Sequence, residues 1–270
     1  MMLGSIRRGL HSLVLALMMG ASTGCFLHHG ARTPKAPPPV VPTDVELERA
    51  MRLFRHGDFR KAQIALQRLT FELGPSAPEL AQVRYYLAES WFQLGDEVQA
   101  AADFRKVADE FSTTAYAPLA LLRAGDANLR LWHGPELDPA YGETALAIYQ
   151  ELAGRYPDSD AAARARPHVR RLENQFAEKT YKVGMFYLRR KAFDSAIIYF
   201  KDVIANWPNA ARAPDALLRL VDSYRAIGYT QELQETCEHL RRFYPTAPKL
   251  DRTCPAAVQS GTATPSTPSL

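Results

Sequence analysis

The sequence predicts an all-α fold, a solenoid of five helix–corner–helix repeats. Two observations carry that expectation. First, residues 179–208, KTYKVGMFYLRRKAFDSAIIYFKDVIANWP, read as two amphipathic helices joined by a tight corner. Phe176, Val183 and Tyr187 share a face of the first. In the second, Phe193, Ile197, Phe200, Ile204 and Trp207 are spaced 4, 3, 4 and 3, which is helical period. Pro208 ends that helix, because it has no N–H and biases the residue before it away from α geometry. Second, the unit recurs. Aligned on Pro208, Ala196 corresponds to Ala62, Ala100, Ala145 and Leu233. Phe200 corresponds to Leu66, Phe104, Tyr149 and Cys237. Val203 corresponds to Leu69, Val107, Leu152 and Leu240, and Trp207 to Leu73, Phe111, Tyr156 and Tyr244. All of these positions are apolar or aromatic, counting Cys237, as stacked repeats require.

Residues 1–24 read as a targeting segment. Arg7 and Arg8 make a positive start, and Leu10 to Met19 an apolar run too short to span a bilayer. Ala21-Ser22-Thr23-Gly24 and then Cys25 resemble the lipobox of bacterial lipoproteins, in which the cysteine after the cut is acylated. Gly24 and Cys25 fit that pattern. Ser22 departs from it, since an apolar residue usually stands there. The alternative is an ordinary secretory signal cut near Gly24. Lipidation at Cys25 by more than one acyl chain would anchor the protein stably. Phe26 follows instead of an aspartate, which favours the outer membrane over the inner. Residues 25–43 then form a tether with Pro34, Pro37, Pro38, Pro39 and Pro42. Residues 26–43 would reach roughly 55 Å at about 3.1 Å each. The His28-His29 pair reads as exposed and unliganded.

The repeats follow at about 44–75, 78–112, 115–158, 160–209 and 212–246. Asp44 is placed to cap the first helix. Gly57-Asp58, Gly95-Asp96 and Gly228 mark corners, glycine tolerating positive φ. The first two corners lie 38 residues apart, close to the repeat of about 34 in a tetratricopeptide array. Repeat three carries an insertion, Trp132 to Pro139, whose two prolines and Gly134 make it a loop. Repeat four starts with a basic stretch, Arg164 to Arg171, in which Pro167 either opens a long helix or kinks it. From there to Arg190 the helix would measure roughly 35 Å at about 1.5 Å per residue. Residues 251–270, rich in Ser, Thr and Pro, are expected to be disordered.

Composition narrows the function classes. Apolar residues make up 47% of the chain and the formal charge is +4, falling to +2 when Arg7 and Arg8 are set aside. So balanced a chain is not built for nucleic acid. There is no GxGxxG, P-loop, HExxH or CxxC, and no nucleophile elbow. No catalytic residue, metal site or cofactor is therefore expected. Asp58, Asp96, Asp109, Glu110 and Asp194 fall at corners and helix ends, where capping and the helix dipole account for them. Cys237 reads as a small buried hydrophobe of its column. The alternative is a disulfide to Cys254 in an oxidising compartment.

A helical array offers a groove lined by the first helix of each repeat, able to hold an extended peptide. Candidates are Arg52, Arg55, Arg84, Tyr85, Glu89, Arg123 and Asn128; surface or core packing explains each as readily. The order of acylated cysteine, proline tether and five tetratricopeptide-like repeats resembles the BamD family of outer membrane protein assembly lipoproteins. The resemblance covers roughly residues 20–248. It is most specific at FYLRRKAFDSAIIYFKDVIANWPNA and the following APDALLRLVDSY. It implies a scaffold of the barrel assembly machinery on the periplasmic face of the outer membrane. In that family the C-terminal repeats dock the last POTRA domain of the BamA barrel. The N-terminal repeats receive the C-terminal signal of unfolded outer membrane proteins, and other assembly lipoproteins join the complex. Some members carry an arginine on the fourth B helix for the BamA contact. Tyr199 stands there in this chain, with Lys201 nearby and Arg189 and Arg190 at the preceding corner. The competing readings are another tetratricopeptide lipoprotein, such as a secretin pilotin or a cell-division coordinator, and a helical periplasmic hydrolase.

Overall fold

The computed structural model describes residues 42–254. The expected signal segment, Cys25, most of the tether and residues 255–270 lie outside that range. The described residues form eleven helices and no strand. Repeat one is α1 (Thr43–Arg55) with α2 (Phe59–Glu72), and repeat two is α3 (Leu80–Leu94) with α4 (Glu97–Glu110). Repeat three is α5 (Tyr116–Leu131) with α6 (Ala140–Arg155), and repeat four is α7 (Asp160–Arg189) with α8 (Phe193–Asn206). Repeat five is α9 (Ala213–Ile227) with α10 (Thr230–Phe243), and a short α11 (Leu250–Thr253) follows. From α1 to α10 each helix packs on the next, and α3 packs on α5, α5 on α7, α7 on α9 and α9 on α11 as well. That is the layering of a solenoid, in which each repeat buries its apolar face on its neighbours.

The four sequence columns are the core. Ala62, Ala100, Ala145 and Ala196 are buried, as are Leu66, Phe104, Tyr149, Phe200 and Cys237, and Leu69, Val107, Leu152, Val203 and Leu240. The fourth column is half-buried at the helix ends. Its hydroxyl-bearing members show why: Tyr156 donates to the Ser112 carbonyl at 2.8 Å and Tyr244 to the Pro208 carbonyl at 2.7 Å. Each ring thus covers the turn that links its own repeat to the one before. Trp207 touches the core of repeats two to four and that of repeats four and five, and lies 6.2 Å from the Phe176 ring.

Several local expectations are corrected. Asp44 does not cap α1; it lies inside the first turn, with Pro42 at the cap position and no side-chain bond there. Asp96 does cap, accepting from the Gln99 amide at 3.2 Å. Pro167 does not open the helix. Ser159 accepts from the Ala162 amide and starts α7 about two turns earlier, and Pro167 lies within its 30 residues. At about 1.5 Å per residue α7 is roughly 45 Å long. The fourth corner has no glycine: Lys191 takes φ 62°, where the other corners use Gly57, Gly95 and Gly228. The folded body runs past residue 250, since Asp251–Thr253 are helical and Cys254 is buried. Cys237 and Cys254 form a disulfide, with 5.6 Å between their Cα atoms, so Cys237 is more than a small hydrophobe.

The insertion after α5 is held against the body. Trp132 is buried and lies 5.5 Å from the Phe176 ring, over Gly142, where a Cβ would come within 2.6 Å of the indole. Lys179 of α7 donates to the Pro135 carbonyl. Leu137, at the tip, is 79% exposed.

Candidate functional site

Three A helices and the start of a fourth meet at an open pocket of about 470 Å³ near the N-terminal end. Its walls come from α1 (Phe54, Arg55), α3 (Tyr85, Tyr86, Glu89, Gln93), α5 (Leu119, Leu122, Arg123) and α7 (Arg164). The i, i+4 spacing of Tyr85, Glu89 and Gln93 puts them on one face of α3. The aromatic side is continuous: Phe54 and Tyr86 pack edge-on at 5.1 Å, Tyr86 and Tyr85 at 5.3 Å, and Tyr85 reaches Tyr116 at 5.4 Å.

Beneath the rings lies an ion network. Arg123 donates from Nε to Glu89 at 2.8 Å and from Nη2 to the other Glu89 oxygen, while its Nη1 reaches Asp126 at 3.0 Å. Asp126 also accepts from the Tyr149 hydroxyl at 2.8 Å. The Arg123 guanidinium lies 3.9 Å from the centroid of Phe92, which also carries Arg130 at 3.6 Å. Burial works against the Arg123 charge, but Glu89 and Asp126 outweigh it and hold its pKa above the usual guanidinium range. Burial, helped by the neighbouring charges of Glu89 and Asp126 respectively, pushes the Tyr85 and Tyr149 phenols up. Arg123 is thus neutralised from within and braces the pocket. Arg164 of the lining, by contrast, is exposed and makes no ion pair among the described residues. Arg55 at the rim is held by Glu48 at 2.7 Å.

Of the seven groove candidates, the structure gathers Arg55, Tyr85, Glu89 and Arg123. Arg84 lies apart from them: it pairs with Glu110, stacks on Phe111 and lines a separate cleft with Phe71, Leu87 and Trp91. Arg52 is exposed beside Glu48 and outside the pocket. Asn128 is buried and donates to the Ala124 carbonyl at 2.8 Å, which makes it a packing residue. Phe54, Tyr86, Leu122 and Arg164 were not among the candidates. One helical turn from Arg123 or Glu89 would have found Leu119 or Gln93, but no spacing rule reaches Arg164 from a helix two repeats away.

The partner-docking candidates lie on α8 and at the corner that precedes it. Tyr199 is half-buried and stacks on Tyr187 of α7 at 5.4 Å. Lys201 is exposed with its amine 5.9 Å from the Tyr224 ring of α9. Arg190 stacks on the half-exposed Phe186 at 4.1 Å, and Arg189 is exposed beside it at the corner edge. The Arg123–Asp126 pair recurs in repeat five as Arg219–Asp222 at 2.7 Å. There Met185 stands where the earlier repeat has Glu89, so the second carboxylate is missing.

Comparison with known proteins follows the same lines. The family model YfiO, described as an outer membrane lipoprotein, matches residues 44–240, which is the whole run of repeats one to four and most of repeat five. The chain belongs to this family. Among curated relatives, the outer membrane protein assembly factor BamD of Caulobacter vibrioides is 36% identical over 95 residues, 35% of this chain and 31% of that protein. BamD of Vibrio cholerae is 30% identical over 99 residues, 37% of this chain and 41% of the relative. BamD of Xylella fastidiosa strain 9a5c is 24% identical over 216 residues, 76% of this chain and 72% of the relative. The chain thus spans less than half the length of the first two. Among solved structures, the TPR domain of P58(IPK) overlaps with a TM-score of 0.41 at 14% identity, over 78% of this chain and 54% of that one. No helix among the described residues is long and apolar enough to cross a membrane, and no group of His, Cys, Asp and Glu among them is arranged for a metal ion.

Proposed function

We propose that this chain is a non-catalytic scaffold of the barrel assembly machinery, lipid-anchored through Cys25 on the periplasmic face of the outer membrane. Its N-terminal pocket receives the C-terminal segment of unfolded β-barrel proteins. Repeats four and five dock a BamA-like insertase through its POTRA domain, and other assembly lipoproteins complete the complex. Membership in an outer membrane lipoprotein family and the BamD relatives support the setting.

The observation that carries the receptor role is the pocket's pairing of an aromatic wall with one unneutralised cation, Arg164. That pairing suits a peptide end bearing an apolar or aromatic side chain and a free carboxylate. The side chain would rest on Phe54, Tyr85 and Tyr86, with the carboxylate on Arg164. Aromatic contact supplies area at little entropic cost and the guanidinium fixes the chain end. Non-catalytic action agrees with the chemistry of the pocket, where Glu89 and Arg123 are locked in an ion pair rather than poised for proton transfer.

The test is fluorescence anisotropy with a labelled peptide taken from the last strand of a β-barrel protein. Wild-type protein should bind the free-acid peptide about tenfold more tightly than its C-terminal amide, a difference of about 1.4 kcal/mol. Arg164→Ala should erase that preference. Equal binding of acid and amide by the wild type would sink this assignment of the site.

A further inference from the structure

We infer that Cys237 and Cys254 are a modification site at which dithiol oxidation locks a truncated sixth repeat over the open end of the solenoid. This goes beyond the proposed peptide-binding role and does not depend on it.

The first argument is repeat symmetry. At the junctions after repeats two, three and four, the amide three residues past the fourth-column aromatic donates back to that aromatic's carbonyl. Thr114 donates to Phe111, Ser159 to Tyr156 and Ala210 to Trp207, at 2.9 to 3.1 Å. Three residues further on, Ala117, Ala162 and Ala213 are buried in the first turns of α5, α7 and α9. The chain after repeat five repeats the turn: Ala247 donates to Tyr244 at 3.0 Å, and Leu250 to Ala247 at 3.2 Å. Leu250 is buried and opens α11, which packs on α9 as α9 packs on α7. Leu250–Thr253 is therefore the first turn of a sixth A helix.

The second argument is what holds it. Four residues past Ala117 and Ala213 stand Leu121 and Leu217, buried in the same cores as Phe104 and Phe200. Four past Leu250 stands Cys254, and the column of Phe104 and Phe200 holds Cys237 in repeat five. The covalent bond thus replaces the apolar contact that joins earlier repeats. A four-residue helix is far too short to persist alone. Apart from the disulfide, α11 is held by Leu250 and by two arginine bonds to its end, Arg225 to the Thr253 carbonyl and Arg241 to the Cys254 carbonyl.

The chemistry balances through an exchange partner. The two thiols lose two protons and two electrons as the S–S bond forms. A disulfide of a thiol–disulfide oxidoreductase accepts the electrons, by way of a mixed disulfide, and becomes a dithiol. Such bonds persist in oxidising compartments, and both sulfur-bearing residues are buried once it has formed, at 4% and 2% exposure.

The test is hydrogen exchange read by mass spectrometry on the mature full-length protein, before and after reduction with a phosphine. In the oxidised protein the Thr253 and Cys254 amides, bonded to Lys249 and Leu250, should be protected. After reduction they should exchange at least about a hundredfold faster, while α9 keeps its protection. A Cys237→Ser/Cys254→Ser double variant should match the reduced protein. Equal protection of α11 in both states would overturn the proposal, as would loss of protection throughout repeat five. So would recovery of Cys237 and Cys254 as free thiols from protein made in an oxidising compartment.

Discussion

Gly184 of α7 faces the ring of Phe200 of α8 so closely that a Cβ at Gly184 would lie 2.6 Å from the ring edge. The same relation joins Gly125 and Tyr149 in repeat three. Elsewhere Ala88 shares a core with Phe104, Ala50 with Leu66 and Val221 with Cys237. A-helix bulk thus falls where B-helix bulk rises. Gly184→Ala should gain up to about 1 kcal/mol of helix propensity and lose roughly 1–3 kcal/mol to overpacking. The expected net result is a lower thermal midpoint, recovered by adding Phe200→Leu. Circular dichroism melts of the two single variants and the double variant check this; a higher midpoint for Gly184→Ala alone contradicts it.

Pro167 removes one backbone donor inside α7 while its ring faces solvent. Interior prolines cost a helix about 3 kcal/mol relative to alanine. Pro167→Ala should therefore raise stability in urea, by roughly 1–3 kcal/mol. No gain in the midpoint would mean that the surrounding helix has already adapted to the ring.

Glu151 ties repeat two to repeat three. It accepts from Arg155 at 2.7 Å on its own helix and pairs with Arg105 of α4. Burial opposes its charge, but the two guanidinium groups win and hold its pKa below 4.5. A depressed carboxylate stabilises the fold above its unfolded pKa and ceases to as pH falls through the folded value. The contribution should therefore fade below about pH 4.5. Glu151→Gln should lower the melting temperature at pH 7 and flatten its decline as pH falls below about 4.5.

Tyr85 and Tyr149 give the opposite limb. Their phenols are raised above 10.0 by burial first and by neighbouring carboxylates second. Their stabilising effect is complete below the unfolded value and is lost as pH rises through the folded values. Ultraviolet titration should find two tyrosines that ionise only as the protein unfolds above pH 10. Tyr149→Phe, which frees Asp126 from its hydroxyl bond, should leave one.

Much of the fold was legible because the B helices repeat a pattern of large apolar residues that nothing but a core explains. Phe200, Tyr149 and Phe104 announce themselves. Their partners do not, since Gly184 and Gly125 carry no hydrophobic signal and matter for the space they leave. Corner four was hidden because Lys191 adopts a conformation that sequence reading assigns to glycine. The pocket was half legible. Tyr85 and Glu89 share a helix face, whereas Arg84, their neighbour in sequence, points into another cleft, and Arg164 arrives from repeat four. The disulfide was an open alternative because the sequence did not reveal that α11 folds back onto α9.

The proposed role puts the chain within the barrel assembly machinery. The direct measurement is affinity purification of the tagged, membrane-anchored protein in mild detergent, with co-purifying partners identified and quantified by mass. The account predicts a stoichiometric large β-barrel protein bearing periplasmic POTRA domains. Recovery of a secretin or a cell-division protein in its place, with no such barrel, would contradict it.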